Sequence, residues 1–502
     1  MLKTSASGRL AVVARRCHAV TTVSRPHYPP AAFFSVSATR RSASSSSPSR
    51  TQQLASWAAT LRYEDLPPAV IEKTKDFFLD WYACAIGGRH HPAVKAIDAF
   101  AREQGPAVGD AVRNSSELLH LPPGANRTSA AFAALVNGAA SHVVEQDDLH
   151  NSSMVHPATV VFPAALAVAQ ATGADGKDLI TACVAGYDVA CRIGEFLGPS
   201  HYAKFHTTAT AGVFGATAAA AHLLQLDATQ TLSAIGTAGT QAAGLWQFLK
   251  QVHTATASFD GVFSAYATRA GLLGTADVLE GSSGMAAAMV PCTPCPDALV
   301  RNLGGADYSI LHSSFKWHAS CRHTHGSADG LLQIMRDHSL AADDIASVTC
   351  HVYKAAIDVL GRTAVPETVH QSKFSMGFVL AVVATYGRAT VLDFTEATLA
   401  NPALQDFQRR VEMVLDDEIE AAFPVDWQAR VVVKTTDGRT LKQFVATAKG
   451  DPAMHLTRAE LEEKARRIAE YAEIRDMAAL EATFRRVWKL EEVKDLAGFS
   501  IV

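Results

Sequence analysis

Acidic side chains are missing from the start of this chain: the first is Glu64. Residues 1–50 carry Lys3, Arg9, Arg15, Arg16, Arg25, Arg40, Arg41 and Arg50, and "RRSASSSSPSR" closes the segment. An Arg-rich, Ser-rich, acid-free stretch without a long apolar run is unlike a secretory signal and matches a mitochondrial transit segment. Residues 1–50 are therefore set apart from the fold, with the matrix as the expected location. A disordered basic tail on a cytoplasmic protein is the alternative. Cysteine is also sparse, and of the eight only Cys292 and Cys295 form a CxxC pair. One pair is half a zinc site, and no strand–CxxC–helix pattern surrounds it, so neither a structural zinc nor a redox centre is expected. Long hydrophobic runs are absent; "VFPAALAVAQATGA" is too short and too interrupted to span a bilayer. Strong net charge is absent too. A formal charge of −4 over 502 residues gives no electrostatic reason to bind nucleic acid or an anionic membrane.

What is present is length and helix. The chain can hold two or three domains with a large core. In "QLASWAATLRY" the apolar Leu54, Trp57 and Leu61 recur at helical spacing, and "DLPPAVIEKTKDFFLDWYACAIGG" has prolines at its start and a Gly-Gly stop. Ala- and Gly-rich helices such as "AGVFGATAAAAHLLQL" follow, and small residues let helix axes approach closely. Composition shifts near residues 281–308, which read as linker and loop. Beyond it "IASVTCHVY" alternates, and "ARVVVKTTDGRTLKQFVATA" reads as a hairpin turning at Asp437-Gly438. The expected architecture is mainly α: a large all-helical domain over 52–308, a smaller α+β lid domain over 309–455, and C-terminal helices over 456–502 that pack back on the helical domain. There is no internal repeat.

Four stretches gather groups that could carry chemistry. "HVVEQDDLHNSSMVHPATVV" holds His142, Glu145, Asp147, Asp148, His150 and His156 around a polar break. Asn137-Gly138 is expected to break the helix before it. Asp147, Asp148 or Asn151 are ordinary helix caps taken singly, but capping does not account for the histidines. "HYAKFHTTATAG" holds His201, Lys204 and His206; capping by Thr207 and Thr208 leaves His206 at a positive helix end, where an anion fits. "LWQFLKQVHTATASFDG" adds Lys250 and His253 beside Trp246. "SSFKWHASCRHTHGSADG" adds Lys316, His318, Cys321, Arg322, His323 and His325. His323-Thr324-His325 is an HxH pair, but the strand–helix alternation of a metal-dependent barrel is missing around it, so no metal is expected. Singly, each histidine or lysine is more often structural or solvated. Together they supply fixed cations and acid–base groups, which a polycarboxylate substrate needs. Glu145 or Asp147 can orient a histidine that takes one proton and returns another.

"VNGAASHVVEQDDLHNSSMVHPA", "KFHTTATAG", "GTQAAGLWQFL", "FKWHASCRHTHG" and "KFSMGFVLA", in this order and spacing, resemble the MmgE/PrpD family, which includes 2-methylcitrate dehydratases and cis-aconitate decarboxylases. The resemblance covers essentially the whole chain after the N-terminal segment. It implies a helical domain with an α+β lid, a homodimer, a small tricarboxylate substrate, and no metal or iron–sulfur cofactor. Its site residues fall here at Glu145 (Asp in many members), His156, His206, Lys250 and Lys316. By resemblance His156 is the leading proton-transfer group and His206 completes the acid–base set. Lys250 and Lys316 bind carboxylates, with Arg322 and His323 as further ligands. This chain departs from the family in "FLKQVH", where members have more residues before the lysine, and at Thr256, where many carry a second lysine. Cys321 stands where animal cis-aconitate decarboxylases have histidine, and no position matches their lid tyrosine. The expected activity is dehydration of 2-methylcitrate or a longer 2-alkylcitrate, with decarboxylation of cis-aconitate to itaconate as the rival. A non-catalytic member and a metal-dependent hydrolase are the remote alternatives.

Overall fold

The computed structural model describes residues 47–106, 115–123, 127–246 and 250–501, the side chain of Lys250 excepted. Residues 1–46, and with them most of the segment read as a transit sequence, lie outside the described residues.

Helices α1 (Arg50–Thr60), α2 (Pro68–Gly87), α3 (Pro92–Gln104), α4 (Ala130–His142) and α5 (Ala158–Thr172) open the helical part. They are followed by α6 (Gly176–Tyr202), α7 (Thr207–Thr210), α8 (Gly212–Leu223), α9 (Ala228–Ala238) and α10 (Lys250–Arg269). Helices α4, α5, α8 and α10 pack on one another through alanine and glycine, and α5 and α8 are buried along nearly their whole length. The break expected at Asn137-Gly138 does not occur, because α4 runs through both residues to His142. Asn137 turns its side chain outward to the neighbouring strand segment, accepting from the Leu119 N–H (3.0 Å) and donating to the Glu117 carbonyl (2.8 Å). Gly138 marks the crossing with α10, since a Cβ there would lie 2.7 Å from Ser258 Oγ. Both residues serve packing instead of a turn.

Two short strand pairs accompany the helices. β1 (Ser115–Glu117) pairs with β2 (Arg127–Ser129), and β3 (Leu149–His150) pairs with β4 (Ser313–Ser314). The second pair ties the histidine-rich loop after α4 to the segment that leads into the lid. α11 (Met285–Met289) interrupts the stretch read as linker.

The α+β region, read from the sequence as a lid, holds a four-stranded sheet in the order β6-β5-β7-β8, from β5 (Ile345–Val352), β6 (Val411–Leu415), β7 (Ala429–Thr435) and β8 (Thr440–Val445). β5 and β6 are parallel, which requires a crossover. It is supplied by α13 (Lys354–Leu360), α14 (Val369–Ser372), α15 (Met376–Tyr386), α16 (Glu396–Leu399) and α17 (Pro402–Gln408). β7 and β8 are antiparallel and turn through Asp437-Gly438, with Gly438 at φ +92°. α12 (His325–Asp337) covers β7 and β8, and α18 (Asp417–Ala422) follows β6. Alternating burial along β5 and β7 shows that one face meets the core. The chain leaves the sheet at Gly450, whose φ is +97°; a Cβ there would meet the Phe315 carbonyl at 2.3 Å, and the Phe315 N–H donates to the Gly450 carbonyl (2.8 Å).

The chain ends on the helical part. α19 (Arg458–Tyr471) packs on α2, with α20 (Met477–Val487) nearby. Lys464 of α19, 3% exposed, stands 2.6 Å from Asp80 of α2 and donates to the Gln146 carbonyl of the histidine-rich loop (2.6 Å). Burial raises the Asp80 carboxyl to about 6 in spite of that lysine. Replacing Lys464 by Met leaves a buried carboxylate unpaired, so urea denaturation at pH 8 should show a loss of about 3–5 kcal/mol. Without the lysine Asp80 takes its proton above pH 6, so the loss should shrink as the pH falls toward 6, and adding Asp80→Asn should restore most of it.

Candidate active site

The loop from α4 to α5 carries the first group of side chains. Glu145 and Met154 within it adopt left-handed backbone (φ +58° and +55°), an arrangement costing on the order of 1–3 kcal/mol per residue. Asp147 is fully buried, and its Oδ2 lies 2.8 Å from His142 Nδ1 and 2.9 Å from His156 Nδ1. The His156 Nδ1 also stands 2.6 Å from the Asp148 carbonyl. A carbonyl oxygen only accepts, so His156 carries its proton on Nδ1 and presents Nε2 as the basic nitrogen. Burial acts to raise the Asp147 carboxyl, but His142, Lys316 and His156 outweigh it and hold the group well below the usual carboxylate range. Asp147 therefore stays a carboxylate, fixes the His156 ring and favours its protonated form.

Asp148, next in sequence, does something else. Its Oδ1 accepts from the Ala158 N–H at the start of α5 (3.0 Å), and Tyr187 bonds Oδ2 (2.9 Å). Burial and the neighbouring Asp147 charge push its carboxyl well above the ordinary range. Asp148 is the helix cap and Asp147 the histidine anchor. Asn151 caps nothing; its amide donates to Asp451 (3.1 Å).

Lys316, just past β4, is 1% exposed and donates to Glu145 Oε2 at 2.9 Å. Burial works against its charge, but Glu145 and Asp147 outweigh it and raise the ammonium pKa. Lys373, between α14 and α15, is buried beside this pair. Its Nζ donates to the Val144 carbonyl (3.0 Å), and burial lowers it to about 8, with Glu145 opposing the shift.

His206 heads α7, with its N–H on the Gly244 carbonyl (2.7 Å). Thr207 and Thr208 lie inside α7 and do not cap it; Thr208 Oγ1 instead accepts from the His156 N–H (3.1 Å). His206 stacks on His142 with centroids 5.8 Å apart, and its Nδ1 meets His253 Nδ1 of α10 at 3.1 Å. One of those nitrogens donates and the other accepts. Trp246 packs on His206 (4.9 Å) and edge-on to Tyr202 (5.2 Å), and its Nε1 donates to the Tyr202 carbonyl (2.5 Å). The backbone of Lys250 begins α10, while its side chain, expected to bind carboxylate, lies outside what is described.

The lid supplies the opposite wall. Arg322 is buried, and one end of its guanidinium pairs with Asp451, which also accepts from Ser314 (2.7 Å). Its Nε and Nη1 have no partner among the described residues, which makes them donors for an anion. His323 stacks flat on Trp427 (4.6 Å, 8°) and hydrogen-bonds Tyr353 Oη through Nδ1 (2.8 Å). Glu145, His156, His206, Lys316, Cys321, Arg322 and His323 all border one cavity of about 40 Å³, room for a few water molecules.

Other members of the sequence clusters do not reach it. His150 bonds Ser153 Oγ (2.8 Å) and burial lowers it to about 4; His201 bonds Thr210 (2.8 Å); His318 bonds Asp329 (2.9 Å). His325 is buried under the lid against His318, apart from His323's aromatic stack. Sequence reasoning gave no role to Lys373, Tyr353 or Asp451. "KFSMGFVLA" had pointed at the first; nothing local marks the other two.

Among the described residues, the set with metal-ligand spacing is His142, Asp147 and His156. Ligands of a tetrahedral zinc stand about 3.3 Å apart, given bonds near 2 Å. The 2.8 and 2.9 Å separations here are those of N–H···O bonds, and the Asp148 carbonyl claims His156 Nδ1 as a donor.

The MmgE/PrpD N-terminal domain model matches residues 52–295, and the MmgE/PrpD C-terminal domain model matches 318–490. A cis-aconitate decarboxylase-like protein of Aspergillus oryzae is 28% identical over 451 residues, covering 84% of this chain and 90% of its own. The cis-aconitate decarboxylase of Aspergillus terreus is 25% identical over 436 residues (81% and 87%), and that of Homo sapiens 24% over 432 (83% and 87%). With both domain models matched in order along the folded region, and the buried histidine–carboxylate cluster lying where the two meet, the chain belongs to the MmgE/PrpD family.

Proposed function

We propose that this chain is a cofactor-independent lyase that removes water from a tricarboxylate, 2-methylcitrate or a longer 2-alkylcitrate. The observation that carries the reading is the Asp147 oxygen shared by His142 and His156, which anchors His156 on one cavity with the Lys316–Glu145 pair and with Arg322, whose Nε and Nη1 have no partner among the described residues. Proton abstraction beside a carboxylate is hard because charge builds on a group that is already anionic. Arg322 and Lys316 hold the carboxylates and meet that charge in a water-poor site. Lys250, by family resemblance, adds a further cation. His156 Nε2 takes the proton, and Asp147 stabilises the resulting imidazolium. The electron pair left on carbon forms the double bond as the C–O bond breaks, and His206 returns a proton so that hydroxide leaves as water. Admitting a tricarboxylic acid of seven or more carbons into so small a cavity requires Arg322, His323 and Trp427 to draw back.

Decarboxylation of cis-aconitate is the second reading, favoured by the names of the relatives and by Tyr353, a tyrosine on the lid side of the site. There the C–C bond breaks, carbon dioxide leaves, and the allylic carbon takes a proton from His156. A homodimer in the mitochondrial matrix belongs to the same proposal, supported by the family resemblance and by the composition of residues 1–50.

Proton NMR of the full chain with each acid separates the readings: dehydration of 2-methylcitrate collapses its methyl doublet to a singlet, or gives an olefinic signal if the methylene proton is taken instead, decarboxylation yields itaconate from cis-aconitate, and no product from these two acids or from a longer 2-alkylcitrate removes both. His156→Ala should lower kcat by about a hundred- to ten-thousand-fold with an unchanged circular dichroism spectrum; near-normal turnover takes His156 out of the mechanism. Arg322→Met should raise KM by about ten- to a hundredfold and change kcat little, the effect of losing one charge-assisted contact. An unchanged KM argues against a carboxylate on Arg322.

A further inference from the structure

A second cavity, of about 340 Å³, adjoins the first and is of opposite character. The two share Tyr202, Trp246, Val359 and Phe374 as common wall. Away from that wall the second chamber is lined largely by carbon, from Pro199, Ala203, Ala355 and Phe423, with Asp358, Arg362 and His370 among its polar lining. Its size is that of a small-molecule pocket. Trp246, packed edge to face on Tyr202, lines it and also packs on His206 (4.9 Å).

We infer that this chamber is a subsite for an unbranched hydrocarbon tail on the substrate, so that the acid acted on is a tricarboxylate carrying an alkyl chain of several carbons. The inference rests on the tricarboxylate reading above and narrows it. An apolar chamber is a poor path for a trianion, since crossing it strips water from charge without replacement. A separate polar cavity of about 420 Å³ borders the site at Trp427, with Arg192 and Arg301 set among Glu195, Asp307, Asp426 and Asp451. The carbon-lined chamber therefore suits a part of the substrate that gains by leaving water. The carboxylates lie on Arg322 and Lys316, and the tail passes the Trp246–Tyr202 pair into the space between α6 and α13.

Isothermal titration with propane-1,2,3-tricarboxylate and its 1-hexyl derivative tests this without turnover, because neither compound has a hydroxyl to lose. Each methylene moved from water to an apolar wall is worth roughly fourfold in affinity, so partial burial of the hexyl chain should tighten binding by about 30-fold or more. Ala355→Trp, which fills the chamber from α13 without touching the first cavity, should erase that gain and leave the parent compound within about twofold. Equal affinity for the two compounds, or a gain that survives both Ala355→Trp and Ala203→Trp, overturns the tail subsite while the tricarboxylate reading stands. Failure of both compounds to bind overturns the two together. Turnover of a 2-alkylcitrate series should rise with chain length and then level off; a flat or falling series overturns the inference.

Discussion

One oxygen organises the site. Asp147 Oδ2 is shared by two imidazole nitrogens at a fully buried position. A buried carboxylate is costly unless positive charge or donors surround it, and here His142, His156 and the more distant Lys316 supply them. The loop after α4 is bent to deliver this atom, with left-handed backbone at Glu145 and Met154. Asp148 fastens the same loop to the start of α5, and Lys464 reaches in from α19 to hold the Gln146 carbonyl. The cost of a bent loop is distributed over contacts from three distant parts of the chain.

Charge around the cavity is nearly balanced by pairs. Lys316 faces Glu145, Arg322 faces Asp451, and Asp147 faces its histidines. The pairing lets cations sit at low exposure without an uncompensated field. Arg322 is the member with donors left over, which makes it the natural first partner for an incoming carboxylate. Lys373, lowered to about 8 by burial, is the softest charge in the group and lies against the backbone before Glu145.

Much of this was legible in the sequence because it is local. The hairpin at Asp437-Gly438, the buried α15 and the mainly α class follow from spacing and turn chemistry. The motif order identified the family, and several histidines it marked do converge. Spacing could not tell His156 from His150, since both sit in the same polar loop. What separates them is that one meets Asp147 and the other only Ser153. Asn137-Gly138 looked like a helix stop because its packing against residues 117–119 and 258 is invisible along the chain. Asp451 escaped notice for the same reason, standing 129 residues from the arginine it holds.

The return of the chain's end to its beginning has a consequence for biosynthesis. Tyr82 of α2 donates to the carbonyl of Phe499, 417 residues later, and Lys75 pairs with Glu491 across a similar span. During translation the apolar face of α2 has no cover from this segment until residues 491–499 have been made. Contacts of such sequence separation form late and slowly. Until then the packing of α2 is incomplete, and a chain cut before Glu491 loses both of these ties to it.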